Sequence, residues 1–249
     1  FRQIMANIKR HRNPYIAGKA LTNDDIFFGC EETIRKVLNI FKSSDNNLVV
    51  LYGQRRIGKT SILLKLLRSL PDPPFFSVYF DLMDKAQKTV NEALFDIATI
   101  CAEKAGLDPL DKDAFIADKD TFHLKFLPKL YKKLGNRRPV FLFDEFDVMD
   151  QHEDKYSETA AANKLHPYLR QLISTQTKMC FVFVVGRRMQ ELSFEFLSTF
   201  KSAQSIQVFV LEVDAAKALI KKGEEEGILF EEEAINEILF LTRCHPYFT

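Results

Sequence analysis

The 249-residue chain has no tryptophan, only four cysteines and almost no imbalance of charge. The missing tryptophan stands beside 23 phenylalanines, a bias that points to no functional class. Cys30, Cys101, Cys180 and Cys244 lie far apart, with no C-x-x-C pair and no Cys/His ligand spacing. That excludes a zinc-finger framework and leaves four reduced thiols in a cytoplasmic protein as the expectation. No run approaches the roughly 20 apolar residues that span a bilayer, so no membrane partner is expected. Residues 1–12 carry charge and no long apolar stretch, unlike a signal peptide. Thirty-five Lys and Arg against 34 Asp and Glu leave a net charge of +1. Hence no global field favours DNA, RNA or anionic lipid, although a local basic patch stays open. There are no internal repeats and no low-complexity tracts.

What is present is a soluble-protein composition, 46% apolar and 28% charged, with enough apolar residues for a core. Strand-like apolar runs alternate with helix-period segments. Asn47–Tyr52, Phe75–Phe80, Val140–Phe143, Met179–Val185 and Ser205–Leu211 read as strands. Between them, Ile62, Leu63, Leu66, Leu67 and Leu70 recur at helical spacing, as do Val90, Leu94, Ile97 and Cys101. Phe122 to Leu134 reads as another helix, and Lys104–Asp120 as an acidic surface loop. A helix around Leu165–Ile173 is expected to be divided, or begun, by Pro167. Five near-continuous apolar strands separated by helices predict a parallel sheet covered on both faces. From Asp214 the pattern is helical only. The domain reading is therefore an N-terminal segment 1–46, a core 47–212 and a helical lid 213–249. Because the chain opens on Phe1 and stops at Thr249 just after a promising motif, it is expected to belong to something longer.

Three segments carry chemistry. Gly53-Gln54-Arg55-Arg56-Ile57-Gly58-Lys59-Thr60 matches G-x-x-x-x-G-K-T in full, between a buried strand and an amphipathic helix. Gly53 and Gly58 are expected to permit backbone angles that wrap successive N–H groups around phosphates at a helix N-terminus. Lys59 would reach the β- and γ-phosphates, and the Thr60 hydroxyl would be a Mg²⁺ ligand, with Ser61 next to it. Arg55 and Arg56 are expected to face solvent or a partner. The second segment, Val140–Phe143 running into Asp144-Glu145, delivers two acids at the sheet edge where ligands bind. Paired acids after a strand also start turns, but the upstream loop favours Asp144 as metal ligand and Glu145 as the base for water. Asp147 and Asp150 are expected to cap or solvate the next helix. The third segment ends a strand in Gly186-Arg187-Arg188, where Arg187 could neutralise charge at the γ-phosphate; a pair of solvated loop arginines is the plainer alternative.

These residues resemble the additional-strand, catalytic-glutamate division of P-loop ATPases, and within it the STAND and AAA-like ATPases. Asn13-Pro14-Tyr15 leading into Phe27-Phe28-Gly29-Cys30-Glu31-Glu32 is similar to that family's upstream motif near the adenine, with Cys30 where arginine is usual. Gly53-Gln54-Arg55-Arg56 is similar to its phosphate-loop form. Cys244-His245-Pro246-Tyr247 resembles its lid motif G-x-P, with Cys244 in place of glycine. The His245-Pro246 pair could also simply end the last helix. The resemblance implies a three-layer α/β/α P-loop fold with strand order 5-1-4-3-2 and a helical lid closing over ATP. Nucleotide contacts from Phe28, Gly29, His245 and Pro246 follow from it too.

The leading expectation is an ATP- and Mg²⁺-dependent switch that forms a homo-oligomer on ATP binding. It would hydrolyse slowly to ADP and act on a sensor or effector domain elsewhere. A DNA-associated loader or transposition-helper ATPase is the alternative. Net charge does not indicate DNA, and no helix-turn-helix is recognisable here. A scaffold without turnover is the third reading, against which Glu145 argues. No N-K-x-D sequence is present, which favours ATP over GTP.

Overall fold

The computed structural model describes residues 13–16, 18–21, 27–43, 47–118, 120–150, 160–187 and 191–249. Five parallel strands form one sheet: β1 (Leu48–Tyr52), β2 (Phe75–Asp81), β3 (Arg138–Asp144), β4 (Cys180–Val185) and β5 (Gln204–Gln207). Their spatial order is β2-β3-β4-β1-β5, the expected 5-1-4-3-2 arrangement read from the other edge. All four pairings are parallel, and β3 is in register with β2 so that Asp144 lies beside Asp81.

The helices are α1 (Glu31–Lys42), α2 (Lys59–Ser69), α3 (Val90–Ala105), α4 (Lys112–Ala117), α5 (Leu127–Leu134), α6 (Ala161–Thr175), α7 (Phe194–Thr199), α8 (Val213–Lys221) and α9 (Glu232–Thr242). Because strand side chains alternate between faces, the two sides of the sheet have different cores. Val49, Leu51, Val140, Leu142, Val182 and Val184 face α1 and α2 in a mostly aliphatic layer. Phe141, Phe143, Phe181 and Phe183 face the other way, against α3, α5, α6 and α7. The phenylalanine bias is thus a packing solution for one face. Phe143 and Phe183 stack with centroids 5.0 Å apart, and Phe146 meets Phe183 at 4.6 Å.

Several local expectations need correction. Within Lys104–Asp120, Asp111 caps the short helix α4 through the Ala114 amide, and Phe115 is buried. An aromatic chain of Phe95, Phe115 and Phe122 supplies the burial that recruits this acidic stretch. The helix expected from Phe122 starts as a π-type turn, Thr121–Phe126, before α5. Pro167 neither divides nor begins α6, which runs through it. The buried Leu165, Leu169 and Leu172 hold that helix on the core against the cost of one missing N–H bond. Strand β5 stops at Gln207, four residues short of Leu211. It is the sheet edge, paired on one side only, and the chain then turns away into the lid.

Candidate functional site

The loop from β1 to α2 crosses the C-terminal edge of the sheet. Gly58 caps α2 with φ 95°, and Arg56 also adopts a left-handed conformation, φ 64°. Such angles fold the chain so that amides turn inward. Gly53 is not among the positive-φ residues; a Cβ there would lie 2.6 Å from the Val208 carbonyl oxygen. Its glycine is set by close approach of the β5 tail, which corrects the expectation of special backbone angles at that position. Lys59 is buried, and its Nζ donates to the carbonyls of Gly53 at 3.0 Å and Gln54 at 2.8 Å. Burial lowers its pKa, and the nearby carboxylates of Glu145, Asp147 and Asp144 oppose that shift.

Asp144 ends β3 at 2% exposure. It accepts from the Tyr79 hydroxyl at 3.1 Å and from the Glu145 amide at 3.0 Å. Burial pushes its pKa up, while the nearby Thr60 hydroxyl and those two donors pull it down. The sequence reading missed Tyr79, although a phenol near the C-terminal end of the Phe75–Asp81 strand was a visible signal. Glu145 follows in the left-handed region, φ 50° and ψ 38°. The bond to Asp144 holds one side of that strained residue. Phe146, fully buried among Phe143, Phe183, Phe196 and Phe200, anchors the other. Burial raises the Glu145 pKa, followed by repulsion from Asp144 and Asp147.

Among the described residues, Asp147 and Asp150 cap no following helix. Asp147 accepts from the Gly186 amide at 2.9 Å, and its carboxylate pairs with Arg187 Nε at 3.4 Å. Asp150 accepts from the Ser193 amide at 3.0 Å and from its hydroxyl. Arg187 also donates to the carbonyls of Asp147 and of Asp150, the latter at 2.7 Å. Arg187 therefore ties the β3 and β4 tails together beside the acidic pair. Its neighbour Arg188 lies outside the described residues.

The flanking motifs converge on the same edge. Gly29 and Cys30 are both left-handed, φ 71° and 69°, at the start of α1. A Cβ on Gly29 would sit 3.0 Å from Leu211 Cδ2, at the entrance to the lid. Cys30 makes no side-chain capping bond, and burial pushes its thiol up to about 11. Phe28 is half-buried beside it, and Phe27 lies 5.8 Å from Lys65 Nζ on α2. Leu21 donates its amide to the Ser61 hydroxyl at 3.0 Å, and the Tyr15 hydroxyl donates to Ile220 O on α8 at 2.6 Å. In the lid, α9 ends at Thr242, before His245-Pro246. Arg243 and Cys244 take φ 52° and 57°, and the Cys244 carbonyl accepts from the Leu211 amide at 2.9 Å. The buried His245 ring accepts from the Tyr247 amide at 3.3 Å, and the Arg56 guanidinium lies 4.4 Å from the centre of the Tyr247 ring. Arg56 thus meets the lid while staying exposed, as Arg55 does.

No protein-family model and no curated protein matches the sequence. Solved structures do resemble it in fold. The Orc1 protein of Aeropyrum pernix, in complex with DNA, superposes with TM-score 0.55 at 13% identity, over 90% of this chain and 59% of that one. AMPPCP-bound DnaA from Aquifex aeolicus gives 0.52 at 14% identity, over 88% and 60%. A DNA replication initiation factor gives 0.51 at 15%, over 84% and 54%. The chain spans between half and two thirds of each of these proteins, and at such identities the likeness is one of fold.

Proposed function

We propose that this chain is a Mg²⁺-dependent P-loop ATPase of the AAA-like kind, and that it works in association with DNA. The observation that carries the ATPase reading is the phosphate loop at the C-terminal edge of the sheet, with Lys59 buried at the start of α2 and the Asp144 carboxylate buried at the end of β3. It sets the hydroxyl that ends the phosphate loop near a buried carboxylate from another strand, close enough for Thr60 to help lower the Asp144 pKa. Both are hard oxygen donors of the type that suits Mg²⁺, so Thr60 and Asp144 would hold the ion together with ATP. When bound, Mg²⁺ neutralises charge on the phosphates. The loop amides of residues 54–59 would cradle the phosphate tail, and Lys59 Nζ would exchange its carbonyl partners for phosphate oxygens. Glu145 would accept the proton of the attacking water at its carboxylate. A raised pKa makes it a stronger base than an ordinary glutamate. Arg187, held by Asp147 and Asp150, would report on the γ-phosphate through the β3 and β4 tails.

Of the two outputs, DNA association is favoured over a signalling switch, because the similar folds are those of Orc1 in complex with DNA and a replication initiation factor. Oligomerisation on ATP binding remains part of the proposal. Lys59→Ala is expected to weaken ATP binding roughly tenfold or more, the loss of one charge-assisted contact. Glu145→Gln should retain binding and lose about 10²–10⁴-fold in phosphate release. Failure of the wild-type chain to bind ATP or ADP would end the ATPase reading. The DNA arm is tested by stimulation of turnover by duplex DNA, fading as salt rises.

A further inference from the structure

We infer that the face opposite the nucleotide site is a docking surface for the sugar-phosphate backbone of duplex DNA. The inference rests on the DNA-associated reading for the kind of partner, and on the charge of this face for its place. The sheet is polar in the electrostatic sense. Its C-terminal edge carries Asp81, Asp144, Glu145, Asp147 and Asp150. At the N-terminal edge, a cleft of about 490 Å³ is lined by Tyr131, Lys132, Gly135, Asn136, Arg137, Arg138 and Lys178. No acid lines it. The net charge of +1 therefore conceals a local basic cleft. Arg138 and Asp144 are the two ends of β3, about 20 Å apart at the rise of an extended strand.

The cleft's cations are mostly unspent. Among the described residues, Lys132 and Lys178 make no ion pair. Arg138 donates to neutral carbonyls, Phe41 O at 2.6 Å and Lys178 O at 3.4 Å, so it keeps its full charge. Arg137 rests over the Phe76 ring, its centroid 5.6 Å away, with a long contact of 3.4 Å to the half-exposed Asp72. Cations at a helix C-terminus offset the macrodipole, which would account for Lys132 at the end of α5. Arg137 and Arg138 also bond last-turn carbonyls, Leu134 O of α5 and Phe41 O of α1, but keep their positive charge, and Lys178 lies outside any helix. Four cations converging on one concavity are the electrostatic footprint of a phosphate chain. The lining has no exposed apolar side chain to enter a bilayer. Its one aromatic, Tyr131, is tethered to Gln176 at 3.0 Å and not offered for base stacking. Backbone contact with a duplex fits both facts.

The test is binding of a random-sequence 30-base-pair duplex by fluorescence anisotropy across a salt series. Wild type is compared with Lys132→Glu/Lys178→Glu and with Lys36→Glu/Lys112→Glu, the same charge change placed elsewhere. ATP binding and thermal unfolding are measured on all three. The cleft variant is expected to bind duplex about tenfold or more weakly, with the slope of log K against log salt flatter by about 2. ATP binding and the control variant should stay near wild type. If wild type binds duplex and both variants lose affinity equally, or neither does, the cleft assignment falls while DNA association stands. If wild type binds ATP but no duplex, DNA association falls with it. Capture by phosphatidylserine vesicles in place of duplex also overturns the assignment.

Discussion

Gly53 and Gly58 bracket the phosphate loop and are glycine for different reasons. Gly58 has open space where a Cβ would go but φ 95°, whereas Gly53 has backbone oxygen 2.6 Å from that point. Gly58→Ala should therefore cost about 1–2 kcal/mol of conformational strain. Gly53→Ala should cost about 1–3 kcal/mol through overpacking, and should push away Val208, whose amide bonds Tyr52 O at 2.7 Å. Faster hydrogen exchange of the Val208 amide in the Gly53 variant alone is the distinguishing readout. Tyr79 is the second residue-scale case. Its hydroxyl orients Asp144, so Tyr79→Phe should raise the Mg²⁺ concentration needed for nucleotide binding several-fold, for a bond of about 0.5–1.5 kcal/mol. An unmoved Mg²⁺ midpoint would show that the Tyr79 hydroxyl has no part in holding the metal ligand.

The acidic end of β3 is positioned by the element that follows it. His166 on α6 is buried, and its Nε2 lies 3.1 Å from Met149 O, closing the turn Phe146–Met149 against the helix. Its Nδ1 has no partner among the described residues. Burial pushes the imidazole pKa down to about 4 from 6.5. The unfolded chain takes up a proton near 6.5 and the folded chain resists until about pH 4. Stability from this residue is thus complete above 6.5 and lost as pH falls toward 4, by ~3 kcal/mol at most. Denaturant melts at pH 7.5 and 4.5 should show the loss, and His166→Gln, which keeps a donor for Met149, should lessen it. Elements were read well where apolar pattern decides them, as in strands β1 to β4. They were misread where tertiary contact overrides local preference, as at Pro167, at Phe115 and at the curtailed edge strand.

For the molecule as a whole, the lid touches the phosphate loop through Tyr247 over Arg56. A cation–π contact of this kind contributes about 0.5–2 kcal/mol. Tyr247→Ala is expected to speed release of a fluorescent ADP analogue several-fold, as measured by stopped flow. An unchanged release rate would mean that the contact does not couple the lid to the nucleotide. The same scale holds the basic cleft at the N-terminal edge of the sheet, which net charge averages away.

The sequence alone determined the parallel α/β class, the phosphate loop and the acid pair, because each is written in contiguous residues whose pattern is their physics. Apolar runs make buried strands, and G-x-x-x-x-G-K-T makes its own turn. Only the tertiary structure decided what meets across elements. Tyr79 beside Asp144, Arg187 between two aspartates, Arg56 under Tyr247 and Lys178 beside Arg138 in the basic cleft all join positions distant in the chain. Such contacts depend on strand order and register, and no local pattern encodes them.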